Sequence, residues 1–204
     1  VGGTVGIGSS AVAEAVALLN VGADVIVVDT ARGNSQRMVE VLKNLRAKLR
    51  KNVPLVAGNV DTSEGALRLI EAGADCIKVG IGGGAACKTR MGPGVGIPQI
   101  TATAQCAAVA NEYNIPIMTD SGIKSSADFC KALAAGASCV MMGRMLAGTE
   151  ETPGEPFYED GEKWKIYRGS ASLEFQLSRL DRDQRDSPVR TPEGVPMRVR
   201  YKGE

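Results

Sequence analysis

Residues Ala134–Gly143 read AAGASCVMMG, and the same phrase occurs twice earlier, as EAGADCIKVG at Glu71–Gly80 and as NVGADVIVVD at Asn20–Asp29. Each copy contains the end of a helix, a glycine suited to a left-handed C-cap, and a run of apolar β-formers. The run is apolar on both faces, which predicts a parallel strand covered on both sides. Two further strands read PLVAGNV (Pro54–Val60) and IPIMTD (Ile115–Asp120), and a sixth is VGGTVG at residues 1–6. Amphipathic patterns predict helices at Ser10–Leu19, Ser35–Leu49, Ser63–Glu71, Thr101–Tyr113 and Ser125–Ala134. Strand alternating with helix means parallel βα units.

An open doubly wound sheet concentrates its chemistry at one switch point. A barrel collects it from the C-terminal ends of all its strands. Here DTARG, GNV, GIGGG, DSG and GR follow strand after strand, which favours a (β/α)8 barrel. Only six of its eight βα units are visible, so the barrel is expected to be incomplete, with the N-terminal strands missing. The partial barrel is assigned to residues 1–148. Residues 149–204, charged and punctuated by Pro and Gly, are expected to form a flap and C-terminal segment, with DRDQRD as a mobile flap.

Composition excludes several kinds of function. The 24 Lys and Arg residues balance 23 Asp and Glu, which is no footprint for nucleic acid or for a membrane surface. No apolar run approaches the ~18 residues of a membrane span. Five cysteines without a CxxC pair, and no histidine, argue against a disulfide framework and a zinc site. They fit a reducing, cytoplasmic setting. Without histidine, Ser-His-Asp and Cys-His machinery is excluded.

One loop carries the candidate chemistry. GIGGGAACKTRMGPGVGIPQ (Gly80–Gln99) sets Cys87 among glycines, with Lys88 and Arg90 beside it. Cations and inward-pointing N–H groups favour a thiolate, which is the nucleophilic form. A typical cysteine is instead a small buried hydrophobe. That reading is given to Cys76, Cys106, Cys130 and Cys139, which lie in strand or helix patterns.

GIGGGAACKTR with GVGIPQ, together with DTARGNS, AGNV, TDSGI, MMGRMLAGTEETPGE, KIYRGSASL and PEGVPMRVRYKG, resembles the IMP dehydrogenase/GMP reductase family over essentially the whole chain. The resemblance implies a piece of a longer catalytic domain, inactive by itself and homotetrameric when complete. It implies that Cys87 attacks C2 of a purine nucleoside monophosphate. It further implies potassium held by the carbonyls of Gly82, Gly84 and Cys87. The nucleotide would be held by Asn59, Asp120, Gly122, Gly143, Arg144, Tyr167, Gly169, Ser170 and Glu193. Asp29, Gly80 and Gly82 would lie on the cofactor side. The leading activity is oxidation of IMP to XMP with NAD, the water being activated near Thr89 and Arg182. The alternative is reduction of GMP to IMP with NADPH, using Thr89 and Glu174. A catalytically silent nucleotide-binding barrel is a third reading. The chain departs from the family's usual pattern at Ala85, where serine binds phosphate, and at Ser121 and Arg144. Ala85 has no hydroxyl to offer a phosphate, and Arg144 is expected to stand in for it.

Overall fold

The computed structural model describes residues 1–179 and 192–203. Six strands, β1 (Gly2–Val5), β2 (Val25–Asp29), β3 (Leu55–Val60), β4 (Cys76–Val79), β5 (Ile117–Asp120) and β6 (Cys139–Met141), pair in parallel in that order. Five helices alternate with them: α1 (Ala11–Asn20), α2 (Gln36–Lys48), α3 (Ser63–Glu71), α4 (Gln99–Glu112) and α5 (Ser126–Ala134). The result is an incomplete, curled parallel sheet with flanking helices, consistent with a partial (β/α)8 barrel.

The repeated phrase works as a helix stop. Gly22, Gly73 and Gly136 adopt φ of 98°, 102° and 102°. The next amide reaches back five residues in each case, from Ala23 to Leu18, Ala74 to Leu69 and Ala137 to Ala132. This is the six-to-one bond of a Schellman cap, which needs a left-handed residue at the turn. Asn114, at φ 54°, performs the same task after α4, with Ile115 N–H donating to the Ala110 carbonyl. Each cap turns the chain straight into the next strand. At the other ends, Ser35, Thr62 and Ser125 accept from the amides of Met38, Gly65 and Asp128, satisfying donors that an α-helix leaves unpaired.

The core lies between sheet and helices. Ile26, Val28, Leu55, Ala57, Ile77 and Val79 from the strands meet Met38, Leu42, Leu45, Leu69, Cys106 and Ala110 from the helices, all buried. It is aliphatic, as the low aromatic content requires. Two cysteines depart from the expected burial: Cys130 and Cys139 are exposed, whereas Cys106 is buried and Cys76 half-buried. Among the described strands β6 pairs only with β5, so an apolar pattern on this edge does not guarantee cover.

The described residues beyond Gly148 include regular secondary structure. Strands β7 (Phe157–Glu159), β8 (Glu162–Arg168) and β9 (Pro196–Arg200) form an antiparallel sheet, and α6 spans Leu173–Arg179. Asp160 and Gly161 join β7 to β8, at φ 51° and 78°. Positive φ at both central positions of a two-residue loop is what an Asp-Gly hairpin turn provides. Lys165 of β8 is buried, and its ammonium donates to the carbonyls of Thr149 (2.9 Å), Glu150 (3.2 Å) and Thr152 (2.7 Å). A charged strand is thereby anchored without an apolar face. DRDQRD lies outside the described residues.

Candidate active site

The strand ends and the antiparallel sheet enclose a cleft of about 970 Å³. Segment 193–195 closes one side of it. Lys88 N–H donates to the Glu193 carbonyl (2.7 Å), Val195 N–H to the Ala86 carbonyl (2.9 Å), and Glu193 N–H to the Ala171 carbonyl (3.1 Å). A side chain at Gly194 would press on the Ser172 amide, so only glycine lets this segment pass between the cysteine loop and residues 171–172.

These stitches bring a thiol, a hydroxyl and a carboxylate into one line. Cys87 Sγ donates to Thr89 Oγ1 at 3.1 Å, and Thr89 Oγ1 donates to Glu193 Oε2 at 2.6 Å. Thr89 is 5% exposed, so its hydroxyl is committed to this chain of hydrogen bonds. Arg32, from the loop after β2, lies 3.6 Å from Glu193 Oε1. Burial pushes the thiols of Cys76 and Cys106 up to about 12. Neither ionises at neutral pH. Tyr167 also lines the cleft, and burial, with Asp120 and then Cys87 nearby, raises its phenol. It therefore stays protonated, as a hydrogen-bond donor. A side chain at Gly143 would displace the Tyr167 hydroxyl, which lies against it.

A second cluster sits where β2, β3, β4 and β5 end. Lys78, 1% exposed, donates to Asp29 Oδ1 (3.1 Å), Asn59 Oδ1 (2.5 Å) and Asp120 Oδ2 (2.6 Å). Asn59 Nδ2 donates to the Gly80 carbonyl (2.5 Å) and to Asp120 Oδ2 (2.9 Å). A buried ammonium persists only when paired and hydrogen-bonded, and this one has three acceptors for its three protons.

The cysteine loop is clamped at both ends. Arg90 donates to the carbonyls of Ile81 (3.2 Å) and Ile97 (2.5 Å), and Asp61 Oδ2 accepts from Ile97 N–H at 2.9 Å. Asp61 is buried, and its Oδ1 has no hydrogen-bond partner among the described residues. Desolvation holds its carboxyl above the usual range, against the lowering effect of the Ile97 and Ile81 amides and Arg90.

Against this geometry, the chain matches the model of the IMP dehydrogenase / GMP reductase domain over residues 1–204. The chain belongs to the IMP dehydrogenase/GMP reductase family. It is 50% identical to the inosine-5'-monophosphate dehydrogenase of Aquifex aeolicus, over 100% of this chain and 42% of that protein. It is 43% identical to the enzyme of the same name from Nitrosopumilus maritimus, over 100% of this chain and 44% of that protein. Its identity to the GMP reductase of Leishmania major is 44%, again over 100% of this chain and 42% of that protein. The chain thus spans less than half the length of these curated relatives.

The family's expected site residues gather in the cleft. Asp29, Asn59, Gly80, Gly82, Gly84, Cys87, Thr89, Asp120, Gly122, Gly143, Arg144, Tyr167, Gly169, Ser170 and Glu193 all line it. Glu174 does not. It lies in the first turn of α6 and is exposed, and the acid bonded to Thr89 is Glu193, because the 193–195 segment runs directly over the cysteine loop. Arg182 lies outside the described residues. Lys78 and Asp61 escaped the sequence reading. Lys78 had a visible signal, since a lysine between Ile77 and Val79 breaks a strand otherwise apolar on both faces. Among the described residues no helix is long and apolar enough to cross a membrane.

Proposed function

We propose that the chain forms the catalytic region of an enzyme oxidising IMP to XMP with NAD. The observation that carries the reading is the line Cys87–Thr89–Glu193, which opens into the same cleft as the Asp29–Lys78–Asp120 cluster. A nucleophile, a proton path and two carboxylates for sugar hydroxyls then share one space. Asp120 would take the nucleotide ribose and Asp29 the nicotinamide ribose. Arg144 and the backbone at Gly122 and Gly143 would hold the phosphate.

Cys87 Sγ, giving up its proton, bonds to purine C2. The hydrogen on C2 departs with its electron pair. Bound NAD supplies the acceptor for that hydride. Water then adds at C2, the C2–S bond breaks, and Cys87 recovers a proton. In this reading Thr89 and Glu193 take the proton from that water, and Arg182 is the residue that the resemblance assigns to the same step. For potassium, the Gly84 carbonyl already accepts from Cys87 N–H at 3.0 Å. A carbonyl has a second lone pair, so Gly84, Gly82 and Cys87 remain suitable donors, and no step passes through the ion.

The reverse-sense activity, reduction of GMP to IMP by NADPH with loss of ammonia, is the second reading. What supports it is the 44% identity to the GMP reductase of Leishmania major; the acid expected beside Thr89 in a reductase is Glu174, whereas the acid bonded to Thr89 is Glu193. Parallel assays of the full-length protein decide between them. IMP with NAD is expected to yield XMP and NADH, and GMP with NADPH is expected to give less than a tenth of that rate. The opposite order would assign the reductase, and no turnover with either pair would leave a silent nucleotide-binding barrel.

A further inference from the structure

The Lys78 ammonium holds two carboxylates through one atom. Asp29 closes β2 and Asp120 closes β5, and both reach Lys78 Nζ. The protein's donors to Asp120 fall on Oδ2 and its donor to Asp29 falls on Oδ1. Asp120 Oδ1 and Asp29 Oδ2 take no hydrogen bond among the described residues. Each carboxylate is thus gripped at one oxygen and offers the other. Two carboxylates around one ammonium leave a net negative charge, which suits hydroxyl donors and repels phosphate.

We propose that Lys78 is a positioning residue that couples the two ribose subsites, so that each ligand tightens binding of the other. This rests on the reading of Asp120 and Asp29 as contacts for two different riboses. The Asp29 side chain is 38% exposed and that of Asp120 is 21%, so neither is fixed by packing alone. A diol bound to Asp120 orders that carboxylate and with it the ammonium. The ordered ammonium then fixes Asp29, and the second diol meets a carboxylate already in place. The ordering cost is met once for two ligands, which is positive cooperativity without a change of fold. Gly58 stands opposite Lys78 in the β3–β4 pairing, where a side chain would meet the Lys78 carbonyl and Cβ. Linkage makes the effect reciprocal.

Calorimetry on the full-length protein carrying Cys87→Ala, which prevents turnover, tests this. IMP affinity is measured with and without saturating NAD, and NAD affinity with and without IMP; GMP and NADP form a second pair. Each ligand should tighten the other by the same factor, at least about fivefold. Lys78→Met should bring that factor to within about twofold of unity. Because Lys78→Met strands two carboxylates and can fail to fold, Asp29→Asn gives an independent arm. It keeps the lysine but replaces the charge-assisted bond to Asp29 with the weaker bond of a neutral amide oxygen, so the coupling factor should fall toward unity. Absence of coupling in the parent, or undiminished coupling in Asp29→Asn or in a folded Lys78 variant, overturns the proposal while leaving the functional reading intact. Failure of the parent to bind either nucleotide overturns both.

Discussion

Replacing Cys87 by serine is expected to lower kcat by at least about 10³-fold while leaving nucleotide affinity within a few-fold. A hydroxyl fits the position and can still donate to Thr89, so binding and stability should persist. The variant lacks the sulfur nucleophile, and a serine hydroxyl without an activating base is a far weaker one. No other thiol lining the cleft can substitute, since Cys87 is the cysteine among its lining residues. Half-buried Cys76 and buried Cys106, their thiols pushed up to about 12, are not nucleophiles at neutral pH. Steady-state rates beside calorimetric binding check this. A serine variant keeping a tenth of the activity would move the nucleophile elsewhere.

Thr89→Val and Glu193→Gln are expected to lower kcat by about 10²–10⁴-fold, the range of general acid–base catalysis. The loss should appear in one step only. If the pair handles the proton of the attacking water, hydride transfer precedes it. A rapid burst of NADH should then survive in both variants, followed by slow turnover. The double variant should be little worse than either single one, because the two groups act through one hydrogen bond of 2.6 Å. Stopped-flow absorbance at the NADH band reads both phases. Loss of the burst in proportion to turnover would place the pair before hydride transfer instead.

The parallel sheet was legible because its signals are local. Gly22, Gly73 and Gly136 mark helix ends by a backbone need that only glycine meets cheaply, and the apolar runs after them need cover on both faces. The antiparallel sheet was missed because its signal is not hydrophobic. β8 reads EKWKIYR, and its buried Lys165 is secured by three carbonyls from another loop, which no periodicity reveals. The Asp160-Gly161 turn was the available clue. The site divides in the same way. Asp29, Asn59 and Asp120 stand at strand ends, but their expected roles come from the family resemblance, as does most of the case for Cys87, whose loop alone only suggests a reactive thiol. The Thr89–Glu193 bond joins residues 104 positions apart, and only the strand-like passage of 193–195 between Ala86 and Ala171 makes it. Asp61, just after β3, carries no sequence signal of its own, yet it is a buried acid that holds the Ile97 amide of the cysteine loop.

The central claim is that Cys87 forms a covalent bond to the purine during turnover. The direct measurement is mass spectrometry of the full-length protein, quenched in acid during steady-state turnover with IMP and NAD, or with GMP and NADPH. A nucleotide adduct is predicted on the peptide carrying Cys87, absent from peptides carrying Cys76, Cys106, Cys130 and Cys139, and more abundant in Thr89→Val and Glu193→Gln. Turnover without any adduct on Cys87, or with the adduct on another cysteine, would contradict the account.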